Sequence, residues 1–202
     1  MLFGQNCLVS KILVVFDVDS TLIEDEVIEL LADVAGKRAE VAEVTERAMR
    51  GELDFAESLR ERVAVLAGLP ESVFADVFQR ITPTKGVQDL VDAIHAGGGL
   101  VGAVSGGFTQ VLTPLAAKLG LDFARANDLE VVDGRLTGKV QGRIVDRAVK
   151  AESLREWAAE SGIALAQTIA VGDGANDLAI RISERCRGMI EHDGQAAAAV
   201  IQ

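Results

Sequence analysis

The sequence contains few cysteine and histidine residues, and this scarcity excludes several classes of site. Its two cysteines, Cys7 and Cys186, lie far apart and lack CxxC spacing, so neither a disulfide framework nor a zinc site is expected. The simplest interpretation of this cysteine usage is a reducing cytoplasm. The two histidines, His95 and His192, lie near no Ser or Cys that is a candidate nucleophile. The sequence therefore offers few residues for catalysis by a histidine-activated nucleophile.

Positive charge is also in short supply. The formal net charge is −11, which argues against nucleic acid or an anionic membrane as a partner. An anionic substrate must therefore be attracted by local positive charge. The first residues have no basic n-region, and Lys11 interrupts their apolar stretch, so neither a signal peptide nor a membrane span is expected. No repeats or low-complexity segments stand out.

What the sequence does contain is a set of short apolar runs that end in small or acidic residues. The length of 202 residues suits one domain, or a core with an inserted subdomain. Helix-compatible stretches follow each run, and this alternation predicts an α/β sheet whose ligands bind at the C-terminal ends of the strands. The runs are "KILVVF", "LVGAVSGG" and "TIAVGDGAND".

Between Val27 and Arg80 the pattern becomes helical. One stretch closes with Gly36, a plausible C-cap, and another carries apolar residues on one face from Phe55 to Leu66. We interpret this segment as a helical insertion that forms a cap subdomain over the strand ends. Further along, "EVVDGRLTGKVQG" resembles a hairpin with Asp133-Gly134 as its turn.

Two acidic motifs predict a Mg2+ site. Asp17 and Asp19 in "DVDST" follow the first predicted strand, and Asp173 and Asp177 in "VGDGANDL" end another. Together they offer the carboxylate oxygens that hard cations take. Taken singly, the first motif could be an acidic N-cap cluster and the second a Gly/Asp/Asn turn. An EF-hand is excluded because its sixth position, normally Gly, is Leu22.

A third motif, "VSGGF", could bind an anion. Ser105 and the backbone N–H groups of Gly106 and Gly107 could form a nest at a helix start, although a plain Gly-rich turn is the alternative. The nearby "GGGLVG" precedes a strand, so a dinucleotide site is rejected. Lys150 lies in the helical stretch "RAVKAESL", where a lone lysine is usually a solvated surface charge.

In order, these motifs resemble the haloacid dehalogenase (HAD) superfamily, and the stretch from Val15 to Leu178 resembles its phosphoserine phosphatases in particular. The specific phrases are "GELDFAESLRERVAVLAGLP", "RITPTKG", "DGRLTGKV" and "VGDGANDL". The resemblance implies an α/β fold, a Rossmann-like parallel-sheet HAD core with an inserted helical cap. The core would comprise residues 1–22 and 81–202, and the cap residues 23–80.

The resemblance also implies a mechanism, hydrolysis of O-phospho-L-serine as the last step of serine biosynthesis. Asp17 would be the nucleophile that forms a phosphoaspartyl intermediate, and Asp19 the general acid and base. The cofactor would be Mg2+, held by the Asp17 carboxylate, the Asp19 carbonyl and Asp173.

Further residues receive supporting roles from the same resemblance. The phosphoryl oxygens would be held by Ser105, Gly106 and Lys150, with Gly107 beside them. Asn176 would be a further substrate contact. Asp177 would support the metal site from behind its ligands, and Thr21 would orient the nucleophile loop.

Substrate selection is assigned to the cap by resemblance. Glu26 would bind the ammonium of phosphoserine and Arg62 its carboxylate, for which a bidentate fork is apt. Phe55 and Met49 would form the apolar wall. Without the resemblance, Glu26 and Arg62 would be interpreted as exposed helix charges. Cap closure would exclude bulk water.

After Leu178 the sequence departs from the family pattern, and the expected buried strand is absent from "AIRISERCRGMIEHDGQAAAAVIQ". A reading-frame change and a divergent genuine end are both open. Three alternatives to the main hypothesis also stay open. They are a phosphatase for another small phosphomonoester, a phosphotransferase to an alcohol, and a non-catalytic binder of phosphoamino acids. A monomer or homodimer is expected, without nucleic-acid or membrane partners.

Overall fold

The computed structural model describes residues 11–172, in which five strands form one mixed sheet. The strand order is β4-β3-β2-β1-β5. β1 pairs in parallel with β2 and β5, β2 pairs in parallel with β3, and β4 pairs antiparallel with β3 at the edge. The strands are β1 (Leu13–Phe16), β2 (Leu100–Phe108), β3 (Phe123–Val132), β4 (Arg135–Gln141) and β5 (Thr168–Val171).

Seven helices accompany this sheet within the described part of the chain. They are α1 (Val27–Val34), α2 (Arg38–Met49), α3 (Phe55–Ala64), α4 (Val73–Arg80), α5 (Val87–Ala96), α6 (Thr109–Leu119) and α7 (Arg147–Glu160). The first four occupy the segment expected to be helical; the boundaries of a cap at 23–80 and a core at 1–22 and 81–202 stay a prediction. Among residues 11–172, no helix is long and apolar enough to cross a membrane.

β1 forms because its residues satisfy two apolar layers at once. All four of its residues are buried. Val14 and Phe16 join the larger core cluster, whereas Leu13 and Val15 join the cluster that includes Trp157 of α7. Alternate strand residues face opposite sides of a sheet, so a strand covered on both sides must be apolar throughout. The prediction of a buried strand in "KILVVF" is confirmed over Leu13–Phe16. The carboxyl end of this strand lies beside the candidate active site.

The predicted hairpin at Asp133-Gly134 is confirmed and connects the sheet to the helical segment. Asp133 and Gly134 have φ values of 50° and 70°, as the two central residues of a type I′ turn require. Beyond the turn, β4 lies against the end of α3. The N–H of Gly68 donates to Leu136 O at 2.8 Å, and the N–H of Leu136 donates to Leu69 O at 2.9 Å. The hairpin therefore anchors α3, which carries Phe55 and Arg62.

Candidate active site

Asp17 lies at the carboxyl end of β1, where the chain turns sharply. Its N–H donates to Val171 O of the neighbouring strand at 2.8 Å, and its Oδ1 accepts from the Val18 N–H at 2.8 Å. A tight turn from Val18 to Leu22 follows, in which the backbone of Asp19 is extended and Ser20 lies in the left-handed region at φ 53°. Asp17 is only 8% exposed. The turn thus fixes a buried carboxylate at the strand end that the sequence indicated.

Asp19 lies on the same turn and is half-buried. Oδ1 accepts from the N–H of Val27 at 3.0 Å, which ties the turn to the start of α1. Burial raises the pKa of Asp19 to about 7, with the negative charges of Glu26 and Asp17 adding to the effect, against the Val27 N–H and Lys150, which lower it. A carboxyl group with such a pKa can both hold and release a proton near neutral pH.

Ser105, Gly106 and Gly107 form a compact loop at the end of β2. The Gly107 N–H donates to Ser105 Oγ at 2.7 Å, and Ser105 Oγ lies 3.5 Å from Asp19 Oδ2. A Cβ at Gly107 would lie 3.0 Å from both Asp19 Oδ2 and Ser105 Oγ. A side chain at this position would therefore crowd Asp19 and Ser105, and glycine avoids that crowding. The structure thus brings "VSGGF" against "DVDST".

Lys150 is buried, which contradicts the interpretation of a solvated surface lysine. Its side chain is 3% exposed, and Nζ lies 2.7 Å from Asp17 Oδ2. α7 starts at an Asp146 N-cap, whose side chain accepts from the Val149 N–H at 2.9 Å. Lys150 comes one turn into this helix and points at the end of β1. Its charge compensates that of Asp17, which makes burial of both groups tolerable.

These side chains surround one cavity of about 260 Å³. Acidic groups and Lys150 lie on the sheet side, and residues of α1 and α3 complete the wall. Most predicted site residues are therefore brought together, whereas Ser105 is buried in the loop and does not line the cavity. The cavity is lined by Asp17, Asp19, Glu26, Ile28, Phe55, Leu59, Arg62, Gly106, Gly107, Phe108 and Lys150.

The two predicted selectivity residues, Glu26 and Arg62, both reach this cavity. Glu26 is exposed and its Oε1 accepts from Ser20 Oγ at 2.8 Å. Arg62 is half-buried, and its Nε donates to Ser58 O at 3.3 Å. Burial lowers the pKa of the Arg62 guanidinium, and the negative charges of Glu26 and Asp19 oppose that change. Within residues 11–172, Arg62 forms no salt bridge, so its guanidinium can bind an anionic group by donating hydrogen bonds to it.

Met49 differs from the expectation. It lies at the C-terminal end of α2, is 84% exposed and does not line the cavity. Phe55 does lie there, since a Cβ placed on Gly106 would be 3.0 Å from Phe55 Cζ. The apolar part of the wall comes from Phe55 with Ile28, Leu59 and Phe108. The expectation that Met49 forms part of the apolar wall is therefore wrong for this structure.

Several predicted residues lie outside the described residues, namely Asp173, Asn176, Asp177 and the tail after Leu178. In the part that is described, no group of three or more His, Cys, Asp or Glu could hold a metal ion. The donors that are described nevertheless fit a hard cation, since Asp17 offers carboxylate oxygens and Asp19 a backbone carbonyl oxygen on the turn that follows β1. The predicted set needs Asp173 to be complete.

Two further polar residues lie behind the site. Among residues 11–172, Thr21 Oγ1 is buried and has no hydrogen-bond partner, while Thr21 O accepts from Thr84 Oγ1 at 2.7 Å. Its predicted role in orienting the loop stays a prediction. Asn127 of β3 is buried and hydrogen-bonds to the Gly106 and Gly107 carbonyls. The sequence analysis missed Asn127, because one asparagine in "RANDLE" carries no motif signal.

Comparison with known proteins agrees with this geometry. The haloacid dehalogenase-like hydrolase family matches residues 14–180. Phosphoserine phosphatase of Streptococcus thermophilus is 58% identical over 83% of this chain and 78% of its own length. That of Streptomyces coelicolor is 61% identical over 82% of this chain but only 40% of its own length.

Solved structures give the same result. A phospho-aspartyl intermediate analogue of phosphoserine phosphatase superposes with a TM-score of 0.78 and 44% identity, covering 84% of this chain and 81% of that one. A substrate-bound phosphoserine phosphatase complex gives the same TM-score and identity over the same shares of the two chains. The chain is a phosphatase enzyme with a HAD-like fold, and it belongs to the phosphoserine phosphatases within the haloacid dehalogenase-like hydrolases.

Proposed function

We propose that this chain hydrolyses O-phospho-L-serine to L-serine and phosphate through a phosphoaspartyl intermediate on Asp17. One observation carries the proposal: the buried Asp17–Lys150 pair, at 2.7 Å, lies in a cavity that Glu26 and Arg62 also line. The pair suits the phosphoryl group, and the two other charges suit the ammonium and carboxylate of an amino acid.

In the first step, an Asp17 carboxylate oxygen attacks phosphorus while the bond from phosphorus to the serine oxygen breaks. That oxygen takes the proton of the Asp19 carboxyl group, whose pKa of about 7 keeps a proton available at neutral pH. In the second step, water attacks phosphorus and gives a proton to the Asp19 carboxylate. The bond from phosphorus to Asp17 then breaks and phosphate leaves.

Positive charge must offset the repulsion between the Asp17 carboxylate and the phosphate. Lys150 supplies one such charge as a compact cation, and Ser105 and Gly106 would donate hydrogen bonds to the phosphoryl oxygens. Mg2+, when bound by the Asp17 carboxylate, the Asp19 carbonyl and Asp173, would screen these charges and stabilise those that develop. Mg2+ as this chain's metal, and the roles of Thr21, Asn176 and Asp177, are part of the proposal.

Selectivity follows from the charges at the cavity. The ammonium of phosphoserine pairs with Glu26, and its carboxylate pairs with Arg62, whose planar fork can donate two hydrogen bonds to one carboxylate. Phe55 lies against Gly106 and forms part of the apolar wall beside these charges. A phosphomonoester without these two charges would make neither of these contacts.

The experiment that tests this function is phosphate release from L-phosphoserine, with Mg2+ and with a chelator, beside para-nitrophenyl phosphate. Mg2+-dependent release that strongly favours phosphoserine supports the whole proposal. Release from para-nitrophenyl phosphate alone keeps the phosphatase chemistry and rejects Glu26 and Arg62 as selectors. No release from a folded sample with either substrate contradicts the proposal and favours a binder.

Two coarser features belong to the same proposal. We place the enzyme in the cytoplasm because of its cysteine usage, and we expect a monomer or homodimer. Size-exclusion chromatography with light scattering would test the second expectation.

A further inference from the structure

We propose that Asn127 is a positioning residue. It holds the phosphate-binding loop, Ser105–Gly107, at a fixed position relative to the start of α7. The inference rests on the proposed function only in naming phosphate as the loop's ligand. Asn127 does not line the cavity. It therefore acts through the loop and through Lys150, without contacting the substrate.

The first argument is the hydrogen bonding of Asn127, which is 1% exposed. Its Nδ2 donates to Gly106 O at 2.8 Å and to Gly107 O at 3.3 Å. Its Oδ1 accepts from the Val145 N–H at 2.8 Å. Three chain segments, β3, the end of β2 and the residues before α7, meet at this one side chain.

The second argument is the backbone irregularity of β2. Val104 pairs with Arg125 and Phe108 pairs with Asn127, so Ser105–Gly107 lie opposite Ala126 alone. Such a bulge interrupts the regular ladder and leaves backbone groups to be satisfied by other partners. The Asn127 amide supplies hydrogen bonds to the Gly106 and Gly107 carbonyls. These side-chain hydrogen bonds therefore take the place of the β2–β3 backbone hydrogen bonds where the phosphate-binding loop bulges out of the ladder.

The third argument is that only a primary amide of this length matches the surroundings. One side of the group faces two carbonyl oxygens and needs a donor with two hydrogens, and the other faces an N–H and needs an acceptor. This fixes the orientation of the amide, because the flipped form would oppose acceptor to acceptor and donor to donor. An Asp at this position could accept from Val145 but would set a negative charge against two carbonyls.

The fourth argument is the connection to Lys150. Val145 immediately precedes Asp146, the N-cap of α7, and the Lys150 N–H donates to Asp146 O at 2.9 Å. Lys150 then reaches Asp17. Through Val145, Asn127 therefore sets the position of the lysine relative to Gly106. Both groups are the proposed partners of the phosphoryl oxygens.

Positioning of this kind predicts a particular kinetic signature. Misplacement of a binding group by about 1 Å can lower a rate by about 100-fold. We expect Asn127→Asp to lower kcat/KM by about 10- to 100-fold on both phosphoserine and para-nitrophenyl phosphate. The ratio between the two substrates should stay within about 3-fold, because the selectivity groups are untouched. Inhibition by inorganic phosphate should weaken in parallel.

The matched control is Ser153→Ala on α7. Ser153 is 0% exposed, donates to Val149 O at 2.7 Å and accepts from Arg125 Nη1 at 2.9 Å. Its loss removes buried hydrogen bonds from the same helix without touching the loop. We expect it to lower the urea midpoint but leave phosphate affinity unchanged. If Asn127→Asp is folded and its phosphate affinity and kcat/KM stay within about 2-fold of the unmutated protein, the inference is wrong. Equal losses in Ser153→Ala also overturn it.

A measurement without any Asn127 variant keeps the inference testable if those variants do not fold. The chain has three asparagines, Asn6, Asn127 and Asn176, so selective ¹⁵N-asparagine labelling gives three pairs of side-chain amide signals. We expect inorganic phosphate, added with Mg2+, to shift the Asn127 amide signals, because the carbonyls they contact belong to the binding loop. Asn176→Ser removes one signal pair and separates it from Asn127. Saturating phosphate that leaves the Asn127 signals unmoved overturns the inference. Phosphate binding can be followed even if phosphoserine is not the substrate.

Discussion

Replacing Arg62 with alanine tests the selectivity of the cavity. Arg62 is half-buried, its Nε is engaged by Ser58 O, and in the described part of the chain no carboxylate forms a salt bridge with it. Its two terminal nitrogens are therefore available to the carboxylate of phosphoserine. Para-nitrophenyl phosphate has no such carboxylate, so its transition state gains nothing from Arg62.

The magnitude follows from the kind of hydrogen bond lost. Hydrogen bonds to charged groups contribute about 1.5–3 kcal/mol each, and half-burial reduces screening by water without removing it. A loss of about 2–3 kcal/mol in the transition state for phosphoserine corresponds to about 30- to 160-fold in kcat/KM. For para-nitrophenyl phosphate, we expect a change of less than about 3-fold.

The assay is phosphate release from both substrates under kcat/KM conditions with Mg2+. Arg60→Ala is the matched control, because Arg60 lies on the same helix α3 but is exposed and does not line the cavity. It should leave both rates near those of the unmutated protein. Equal losses on the two substrates in Arg62→Ala would refute the assignment of Arg62 to the carboxylate.

Three further variants probe the proton donor, the loop and the hairpin. In Asp19→Asn, a stoichiometric burst of para-nitrophenolate should survive while phosphoserine turnover falls by about 10²- to 10⁴-fold, since the serine oxygen needs a proton to leave; loss of the burst would contradict this. Gly106→Ala should lower kcat/KM because its Cβ would lie 3.0 Å from Phe55 Cζ. Adding Phe55→Leu to this variant should recover part of the loss in kcat/KM. Additive losses in the double variant would argue against the contact. Gly138→Ala should lower the free energy of unfolding in urea by about 1–3 kcal/mol, because Gly138 has φ +81° and its Cβ would lie 2.9 Å from Ala67 Cβ; an unchanged midpoint would contradict this.

The central part of the fold could be predicted because its signals are local. "KILVVF" is apolar on both faces, as a strand between two apolar layers must be, and Asp133-Gly134 encodes its own turn conformation. β3 was harder to recognise, because its first half, "FARAND", mixes polar and apolar residues. Its place in the sheet depends on pairing with β2, which is a long-range interaction.

The candidate site could be predicted where residues lie near the carboxyl ends of neighbouring strands. Asp17 and Asp19 follow β1, and Ser105 lies near the end of β2. Lys150 shows the limit of local reasoning, since its helical context alone indicates a surface lysine. Only the packing of α7 against the sheet buries it beside Asp17. Asn127 could not be predicted for a similar reason. Its proposed role depends on a bulge in β2, which no sequence pattern indicates.

The central claim is that Asp17 becomes covalently phosphorylated during turnover. The most direct test is to quench the enzyme with acid during hydrolysis of phosphoserine with Mg2+, reduce it with borohydride and map the peptides by mass spectrometry. Borohydride converts an acyl phosphate to an alcohol and so marks the residue that carried it. We predict reduction at Asp17 alone, and none with chelator or in Asp17→Asn. Turnover without a mark at Asp17, or a mark at another carboxylate, would contradict the account.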